Sequence, residues 1–557
     1  MLGHYTTGLW LGPAMAGDNK VMRTRTDRRS VRPRGSLSHL YSHGLAEAVR
    51  RTKILVTIGP ASCSREGLIA LARAGADSFR LNFSHGSDPE HRAWLQRMRF
   101  VRAHLGREIP IVGDVQGPKI RIGALTPEPI SLVEGAFWTI DESDRPGDAH
   151  RIGAHAPGLM RAARPGDPIL LGDGGVELSI VRVDRHGIRA RVVHGGLVRS
   201  HAGLFLPRAH LRTRVLGPKD LHDIEIAVAE GIDFLAVSFV RDANDLRLAR
   251  ATLDRLPGGD RVGLIAKIER AEALDAIDEI LVETDAIMVA RGDLGIEVPL
   301  ERLALAQKML LRKANLAARP AIVATQMLLS MVHAPRPTRA EATDVANAVL
   351  DGADAVMLSE ESAIGDYPAD SVRWLARIAE ATEDRIPSGP REGASPTRLP
   401  AISPEREVAS ATVQLAHDLG ARAIVTPTHS GRSATLVSAL RPKVPIIALS
   451  AVPETRRRLG LVWGVQSQGL PKHTLLSSLR DRAAQIAREL EPLPGRVILT
   501  AGYPVEGRPT NLVTVVEPES VSWSSTARAR RPGVVHRGGP RGTSRGRRTP
   551  GGEGTRS

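Results

Sequence analysis

The sequence is nearly free of cysteine. Only Cys63 stands among its 557 residues, which excludes a disulfide framework and favours a reducing compartment. No run of eighteen apolar residues occurs, so a membrane-spanning helix is not expected. The first twenty residues also lack the charged and then apolar segments of a secretory signal. We therefore expect a cytoplasmic protein that does not associate with membranes.

Acidic residues are scarce at the two ends of the chain, and this accounts for nearly all of the net charge of +15. Residues 1–52 carry nine Lys and Arg against three acids, and residues 521–557 carry nine Arg against one. Both ends are rich in Gly, Pro, Ser and Arg, so we predict disordered extensions over 1–50 and 520–557. Nucleic-acid binding is expected only through these tails, and it would be sensitive to salt. Tails without a specific partner are the alternative.

Eight short apolar runs recur along the nearly neutral body, and amphipathic stretches separate most of them. The runs are KILVTIG (53–59), SFRLN (78–82), PIVGD (110–114), DFLAVSF (233–239), GLIAKIE (263–269), AIMVARG (286–292), AIVATQM (321–327) and DAVMLS (354–359). Apolar strands alternating with helices are typical of a parallel sheet covered on both faces. Eight units without an obvious edge strand predict an α/β fold, a closed (β/α)₈ TIM barrel over 51–123 and 217–378. An open, doubly wound sheet is the alternative.

Two further domains are predicted from the remaining sequence. Residues 124–216 contain short strands with turn signals, which predict an inserted β-barrel-like domain on the third βα loop. After residue 378, a Pro- and Gly-rich joint precedes the apolar runs ARAIVTPT (421–428) and VPIIALS (444–450). These runs and their helical neighbours predict a C-terminal α/β domain over 379–519.

An ammonium group and two carboxylates stand at the ends of predicted strands. Lys267 and Glu269 are two residues apart in one strand and so point to the same face. Asp293 follows Glu269 by 24 residues, about one βα unit, which brings it to the end of the neighbouring strand. Two carboxylates at one rim suit Mg²⁺, and an ammonium beside them can hold a phosphoryl group. A structural ion pair is the alternative.

Lysine itself is rare, since only nine of the 76 Lys and Arg residues are lysine. Four of the nine flank predicted barrel strands, namely Lys53, Lys119, Lys219 and Lys267. Where arginine is used nearly everywhere, a lysine indicates a site that needs a compact, rotatable charge. This scarcity favours a functional role for Lys267.

Nine motifs occur in one order along residues 51–516. They are TKILVTIGPAS, RLNFSHG, GDVQGPKIRIG, DFLAVSFVRDANDL, AKIERAEALDAIDEI, MVARGDLGIEVP, ATQMLLSM, PTRAEATDVANAVLDGADAVMLSEESAIGDYP and THSGRSATLVSALRP. Together they resemble the pyruvate kinase family. The resemblance implies phosphoryl transfer from phosphoenolpyruvate to ADP, which gives ATP, and protonation of enolpyruvate to pyruvate in the same site. It also implies a homotetramer in which the inserted domain is a lid over the nucleotide.

The resemblance gives each residue of the predicted centre a role. Glu269 and Asp293 would bind Mg²⁺ or Mn²⁺, and Lys267 would stabilise the transferring phosphoryl group and the developing enolate. The backbone N–H groups of Gly292 and Asp293 would receive the substrate carboxylate. Thr325 would order the water chain that delivers the proton to the methylene carbon.

Other residues matched by the motifs surround this centre. Arg80 would contact the transferring phosphate, and His85, Arg121 and Asn82 would lie on the nucleotide side. Solvated rim arginines are the alternative for Arg80 and Arg121.

The family also has a monovalent-cation site, which maps to Asn82, Ser84, Asp114 and the carbonyl group of Val115. Potassium-dependent relatives carry a glutamate at the position of Lys119. A lysine there can supply the positive charge that K⁺ otherwise brings. We therefore expect little or no requirement for K⁺.

A second anion site is predicted in the C-terminal domain. The loop in VTPTHSGRSATLV places hydroxyl, backbone N–H and guanidinium groups at a helix start, which suits a phosphate. Its residues are Thr428, Ser430, Gly431, Arg432 and Ser433. The resemblance implies a sugar-phosphate or nucleotide effector here, and a simple capped turn is the alternative.

Several positions depart from the family pattern on the nucleotide side. The altered positions are Glu90, Gly172 in Gly172-Asp173-Gly174, His201 near a missing lysine, Glu360 and Ile364. We expect weak nucleotide affinity or an altered nucleotide choice, with the chemistry intact.

Two alternatives to a pyruvate kinase are considered. An Mg²⁺-dependent aldolase of the same barrel type would need neither the lid nor the effector-like domain. A catalytically weakened relative could act as a regulator, or as an RNA-associated scaffold through its basic tails. The altered lid residues favour that reading, while Lys267, Glu269, Asp293 and Thr325 argue against it.

Overall fold

The computed structural model describes most of the chain between residues 50 and 518. The described ranges are 50–143, 145–154, 158–172, 174–207, 214–386, 403–471, 474–490, 494–502 and 510–518. The predicted disordered tails, apart from Arg50, lie outside these ranges. Within them, no helix is both long and apolar enough to cross a membrane.

The first described elements are three strands that alternate with two helices. They are β1 (Lys53–Ile58), α1 (Arg65–Ala74), β2 (Ser78–Asn82), α2 (Asp88–Leu105) and β3 (Ile111–Asp114). The Ser64 hydroxyl caps α1 by accepting from the Gly67 N–H at 2.9 Å. Glu90 closes the capping box of α2, where it accepts from the Ser87 N–H at 2.8 Å. Glu90 therefore has a structural role at a helix start.

The inserted segment forms its own curled sheet with a separate core. Its elements are β4 (Ile130–Leu132), β5 (Phe137–Asp141), β6 (Arg151–Gly153), α3 (Leu159–Ala162), β7 (Pro168–Leu171), β8 (Val176–Asp184), β9 (Gly187–His194), β10 (Gly196–Val198) and β11 (Leu204–Phe205). Six strands pair in the order β11-β7-β8-β9-β5-β6, and β10 pairs with β4. Alternate residues of β8 are buried over Val176–Ile180, as expected for a sheet with one apolar face.

The chain then returns to the barrel. The elements are α4 (Pro218–Ala229), β12 (Phe234–Val237), α5 (Ala243–Leu253), β13 (Gly263–Ile268), α6 (Ala271–Asp275), α7 (Ile277–Glu283), β14 (Ala286–Ala290), α8 (Arg291–Glu297), α9 (Leu300–Leu316), β15 (Ala321–Ala324), α10 (Arg339–Asp351), β16 (Ala355–Leu358), α11 (Glu360–Ala363) and α12 (Pro368–Glu383). The eight strands β1-β16-β15-β14-β13-β12-β3-β2 are all parallel and close on themselves. Closure confirms the predicted barrel and rules out the open sheet. In a closed parallel barrel the carboxyl ends of all strands meet at one rim.

The last part of the described chain is a second α/β unit. It comprises α13 (Pro404–Asp418), β17 (Ala423–Pro427), α14 (Arg432–Ala439), β18 (Ile446–Ser450), α15 (Pro453–Arg458), β19 (Val465–Gly469), α16 (Leu476–Glu489), β20 (Val497–Gly502) and β21 (Thr510–Val516). The sheet order is β19-β18-β17-β20-β21, in which only the pairing of β21 is antiparallel.

A buried ion pair joins this unit to the barrel. The Arg441 guanidinium is 2 % exposed, lies 3.0 Å from Asp354 Oδ1 and donates to the Gly352 carbonyl at 2.7 Å. It also stacks over the Trp463 ring, 5.0 Å from the centroid. Asp354 immediately precedes β16, so this contact reaches the end of the barrel opposite the carboxyl rim.

Candidate active site

Lys267 is held by three oxygen-bearing side chains at the carboxyl rim of the barrel. Its Nζ lies 3.1 Å from Asp114 Oδ1 and 3.0 Å from Glu269 Oε1, and it donates to Ser238 Oγ at 2.6 Å. These residues come from the ends of β3, β13 and β12, which are adjacent in the barrel. The predicted pair Lys267 and Glu269 is therefore in direct contact, and Asp114 joins it.

Burial makes the charges of this group interdependent. Glu269 and Asp114 are each 1 % exposed, and Lys267 is 9 % exposed. Burial by itself would lower the pKa of Lys267, but Asp114 and Glu269 outweigh it and hold the pKa above its usual value. The ammonium form therefore persists throughout the physiological range.

The two carboxylates differ in how readily they ionise. Burial would raise the pKa of Asp114, but Arg80 and Lys267 overcome it and keep the pKa below the usual value. The pKa of Glu269 is raised, because burial and the charges of Asp293 and Asp114 outweigh the attraction of Lys267. A cation beside Glu269 would offset this unfavourable environment. The Glu269 Oε2 atom also accepts from the Phe239 N–H at 2.8 Å.

Asp293 lies at the start of α8, directly after β14, and contacts an ammonium group. Its Oδ1 lies 2.8 Å from Lys119 Nζ, and the two side chains are 22 % and 24 % exposed. Lys119 also lies over the Phe205 ring of the inserted sheet, 5.3 Å from the centroid. The structure thus brings Lys119 to a predicted metal ligand, a contact that sequence spacing gave no reason to expect.

Thr325 and Gly292 contact each other through the Thr325 hydroxyl. The Gly292 N–H donates to Thr325 Oγ1 at 2.8 Å, and that hydroxyl donates to the Ala324 carbonyl at 2.6 Å. Thr325 has a φ of 71°, which is strained for a β-branched residue. Arg291 holds this backbone by donating to the Thr325 carbonyl at 2.7 Å.

The residues predicted for the phosphate and the monovalent cation lie around Asp114. Arg80 Nε lies 2.7 Å from Asp114 Oδ2, and Arg80 Nη1 donates to Thr57 Oγ1 at 2.9 Å. Arg80 is buried, with 7 % of its surface exposed. This burial argues against the alternative that Arg80 is a solvated arginine at the barrel rim. Asn82 pairs with Asp114 in the register of β2 and β3.

The backbone around this group is also hydrogen bonded. The Asn82 side chain accepts from the Ser84 N–H at 3.1 Å. The Val115 carbonyl accepts from Ser238 Oγ at 2.7 Å. These contacts fix the side-chain oxygen of Asn82, the last residue of β2, and the carbonyl oxygen of Val115, which directly follows β3.

The predicted nucleotide residues lie in a positively charged region. The pKa of His85 is lowered by burial first and then by the charges of Arg121, Arg80 and Lys119, so the ring is neutral near pH 7. Arg121 donates to the His201 carbonyl of the inserted segment at 3.0 Å. Such surroundings favour a polyphosphate. The altered lid position Gly172 donates its N–H to the Gly203 carbonyl at 2.9 Å, whereas Asp173 lies outside the described residues.

The loop before α14 satisfies part of its own hydrogen-bonding capacity. The Gly431 N–H donates to Thr428 Oγ1 at 2.9 Å, and the Arg432 N–H donates to Ser430 Oγ at 3.5 Å. Ser433 Oγ contacts Thr510 Oγ1 of β21. These contacts fit both the predicted phosphate loop and the capped-turn alternative.

Sequence reasoning missed three residues that shape the site. Ser238 and Phe239 directly follow β12, and Phe239 has a φ of 57° that turns its N–H toward Glu269. Arg291 directly follows β14 and reaches Asp344 at 2.6 Å as well as Thr325. Their position immediately after barrel strands is a signal that could have identified them.

Glu297, at the end of α8, is expected to make the stability of the protein depend on pH. Its pKa is raised to about 7, because burial and the charges of Glu272 and Asp293 outweigh Arg270, whose guanidinium lies 3.5 Å away. Between pH 4.5 and 7 the Glu297 carboxyl therefore stays protonated in the folded protein but is ionised in the unfolded chain. Because the folded state binds the extra proton, the free energy of unfolding decreases as the pH rises through this range. The free energy of unfolding of wild type should fall by about 2–3 kcal/mol, relative to Glu297→Gln, between pH 5 and pH 8.

Denaturant titrations of both proteins at the two pH values measure this difference. Glu301→Gln changes an exposed carboxyl at the start of α9 and should show no such pH-dependent difference. A constant offset between Glu297→Gln and wild type would refute the assignment.

The barrel and the C-terminal α/β unit both match known proteins. Residues 49–372 match the family model for the pyruvate kinase barrel domain, and residues 406–516 match that for the pyruvate kinase alpha/beta domain. A pyruvate kinase of Agrobacterium vitis is 43 % identical over 464 residues, which cover 82 % of this chain and 95 % of the relative. One of Geobacillus stearothermophilus is 40 % identical over 475 residues, which cover 84 % and 80 %. The crystal structure of a pyruvate kinase from Cryptosporidium parvum superposes with a TM-score of 0.76 at 34 % identity, covering 84 % of this chain and 96 % of that one. The chain therefore belongs to the pyruvate kinase family.

Proposed function

We propose that this protein transfers the phosphoryl group of phosphoenolpyruvate to ADP, which gives pyruvate and ATP in the last step of glycolysis. The observation that carries the proposal is the Lys267 ammonium, held between Asp114 and Glu269 at 3.1 and 3.0 Å at the barrel rim. A fixed, buried positive charge at that rim is suited to an oxygen that gains negative charge during the reaction. Family membership supplies the reaction in which such charges arise.

Glu269 and Asp293 are proposed to hold Mg²⁺ or Mn²⁺. The environment fits a hard divalent ion, since Glu269 is buried among acids that raise its pKa, and Asp293 contributes to that rise. When bound, the ion would neutralise phosphate and carboxylate oxygens of the substrates. Lys267 then orients and stabilises the phosphoryl group in transfer, and Arg80 contacts the same group.

The backbone N–H groups of Gly292 and Asp293 are proposed to bind the substrate carboxylate. Gly292 now donates to Thr325 Oγ1, so substrate binding would exchange that bond and free the hydroxyl. The freed Thr325 hydroxyl can then hold water beside the methylene carbon, where a proton is required. Arg291 fixes the strained Thr325 backbone throughout this exchange.

ADP is proposed to lie between the barrel rim and the inserted segment 124–216, which would serve as its lid. The positive region around His85 and Arg121, with Asn82, supports a polyphosphate there. Arg121 joins the two parts through the His201 carbonyl. The changed lid positions support weak nucleotide affinity or an altered choice of nucleotide.

Members of this family generally use K⁺ as well as Mg²⁺, and we propose that Lys119 replaces K⁺ here. Its ammonium lies 2.8 Å from Asp293 Oδ1, so a fixed monovalent charge already reaches one of the predicted metal ligands. The residues of the K⁺ site, Asn82, Ser84, Asp114 and Val115, would then keep a structural role.

We further propose a homotetramer in the cytoplasm, with the loop of Thr428 and Gly431 as an effector site for a phosphorylated metabolite. The single cysteine supports a reducing compartment, and the hydroxyl-lined start of α14 supports anion binding. We also retain the predicted domain division at residues 51, 124, 217 and 379. The regulatory or RNA-scaffold alternative has no support, and its basic tails lie outside the described residues.

A lactate-dehydrogenase-coupled assay tests the proposed activity. Pyruvate formation should require phosphoenolpyruvate, ADP and Mg²⁺ together, and ATP should appear in equal amount. Pyruvate released without ADP, or no turnover with all three present, would contradict the proposal.

A further inference from the structure

A cluster of metal-ligating side chains lies outside the proposed active site, where α2 faces α4. Asp88 and His91 belong to α2 and Asp223 belongs to α4, and one ligand atom of each lies within 4.8 Å of the others. His91 and Asp223 are each 1 % exposed, whereas Asp88 is exposed. The cluster therefore joins two buried donors to one that solvent can reach.

His91 presents a bare nitrogen lone pair. Its Nε2 lies 2.7 Å from the His85 carbonyl oxygen, which can only accept, so Nε2 carries the ring proton and donates it. Nδ1 of the neutral ring is then an acceptor, and among the described residues it is buried without a hydrogen-bond partner. A ring oriented by one carbonyl bond, with its other nitrogen bare, is the arrangement of a histidine metal ligand.

A ring nitrogen of His91 lies within 4.8 Å of a carboxylate oxygen of Asp88 and of Asp223. Asp223 Oδ2 lies 2.6 Å from Lys219 Nζ, and Asp88 Oδ2 lies 2.6 Å from His222 Nε2. Each contact involves one oxygen of the carboxylate. His222, which adjoins Asp223 in the sequence, brings a second imidazole to Asp88.

We propose that Asp88, His91 and Asp223 bind a divalent transition-metal ion of the Zn²⁺ class, with water completing its coordination. Imidazole and carboxylate together suit Zn²⁺, whereas Mg²⁺ takes oxygen ligands. Tetrahedral bonds of about 2.0–2.2 Å place ligand atoms roughly 3.3 Å apart. The three ligand atoms start within 4.8 Å of one another, so each pair has to approach by no more than about 1.5 Å.

The bound ion would fix the segment between β2 and α2. His91 donates to the His85 carbonyl, and Lys219 donates to the Phe83 carbonyl at 2.8 Å, so both sides of the cluster hold this one segment. The same segment contains Ser84 and His85 of the proposed active site. The ion therefore acts as structural support for residues that line the site, and takes no part in the chemistry.

Competition titration of the full chain tests the site directly. The protein is stripped with a chelator, returned to buffer with millimolar Mg²⁺ to occupy the all-oxygen sites, and titrated with Zn²⁺ against a chromophoric chelator. Wild type should bind one equivalent of Zn²⁺, and Asp88→Asn should bind it at least about 10-fold more weakly. Because Asp88 is exposed, this substitution leaves the core intact.

A matched control and a second measurement make the test decisive. Asp418→Asn alters another exposed Asp–His pair, at 3.2 Å from His417, and should bind Zn²⁺ as wild type does. Zn²⁺ should raise the Tm of wild type and of Asp418→Asn but not that of Asp88→Asn. Equal Zn²⁺ affinity in wild type and Asp88→Asn, or no equivalent bound by wild type, would overturn the proposal.

Discussion

Replacing Lys267 by methionine should lower kcat/KM for phosphoenolpyruvate by at least about 10³-fold. Methionine preserves much of the volume of the side chain but removes the ammonium that contacts both Asp114 and Glu269 at 3.1 and 3.0 Å. The transferring phosphoryl group would then face two buried carboxylates without the charge that offsets them. The loss should fall mainly on kcat, since this charge is needed most in the transition state.

The same substitution also removes a buried ion-pair partner, which typically costs about 3–5 kcal/mol of stability. Thermal unfolding must therefore be recorded with the coupled assay, at a temperature where the variant is folded. Lys313→Met is the matched control, because Lys313 pairs with Asp278 at 2.8 Å on the outer helices and is 33 % exposed. It should retain wild-type kcat. A folded Lys267→Met variant with more than a tenth of wild-type activity would exclude the proposed role.

Replacing Lys119 by glutamate should make the activity depend on K⁺. The substitution exchanges the ammonium 2.8 Å from Asp293 Oδ1 for a third acid near Glu269 and Asp293. Two unit charges 4 Å apart near a protein surface interact with an energy of about 4 kcal/mol. If the transition state without K⁺ is destabilised by about 3 kcal/mol of this, the rate drops roughly 10²-fold. A monovalent cation can then restore the lost charge.

Assays in tetramethylammonium buffer, with and without KCl, measure this conversion. Wild type should be stimulated less than about twofold, and Lys119→Glu at least about tenfold. Lys308→Glu reverses an exposed charge on α9 that pairs with Asp351, and it should respond to K⁺ as wild type does. Strong stimulation of the wild type by KCl, or a Lys119→Glu variant whose activity does not respond to KCl, would contradict the proposal that Lys119 replaces K⁺.

Most of the eight barrel strands could be predicted because they are nearly continuous apolar runs, whereas β2 contains the polar Ser78, Arg80 and Asn82. The predicted runs were often longer than the strands: AIVATQM spans 321–327, whereas β15 ends at Ala324. The reason is local, since Thr325 and Gln326 take left-handed φ values of 71° and 54° that end the strand. In the C-terminal sheet only two of five strands were predicted. The polar strand β19, VQSQG, has no apolar pattern from which to predict it.

Contacts in the site could be predicted between residues that are close in the sequence. Contacts between residues that are far apart in the sequence could not be predicted. Lys267 and Glu269 are two residues apart, and their contact at 3.0 Å follows from that spacing. Lys119 and Asp293 are 174 positions apart and meet only because the chain closes into a barrel. Ser238 was overlooked because a serine after a strand is common, and its hydrogen bond to Lys267 shows only in three dimensions. The catalytic roles themselves stay predictions until the variants are assayed.

The Arg441–Asp354 pair has a consequence for how the protein can come apart. The arginine belongs to the C-terminal unit, its counter-ion belongs to the barrel, and both lie where water cannot hydrate them. Loss of either unit would break this pair and expose the apolar surface around it to water. The two units are therefore expected to unfold in a single cooperative transition.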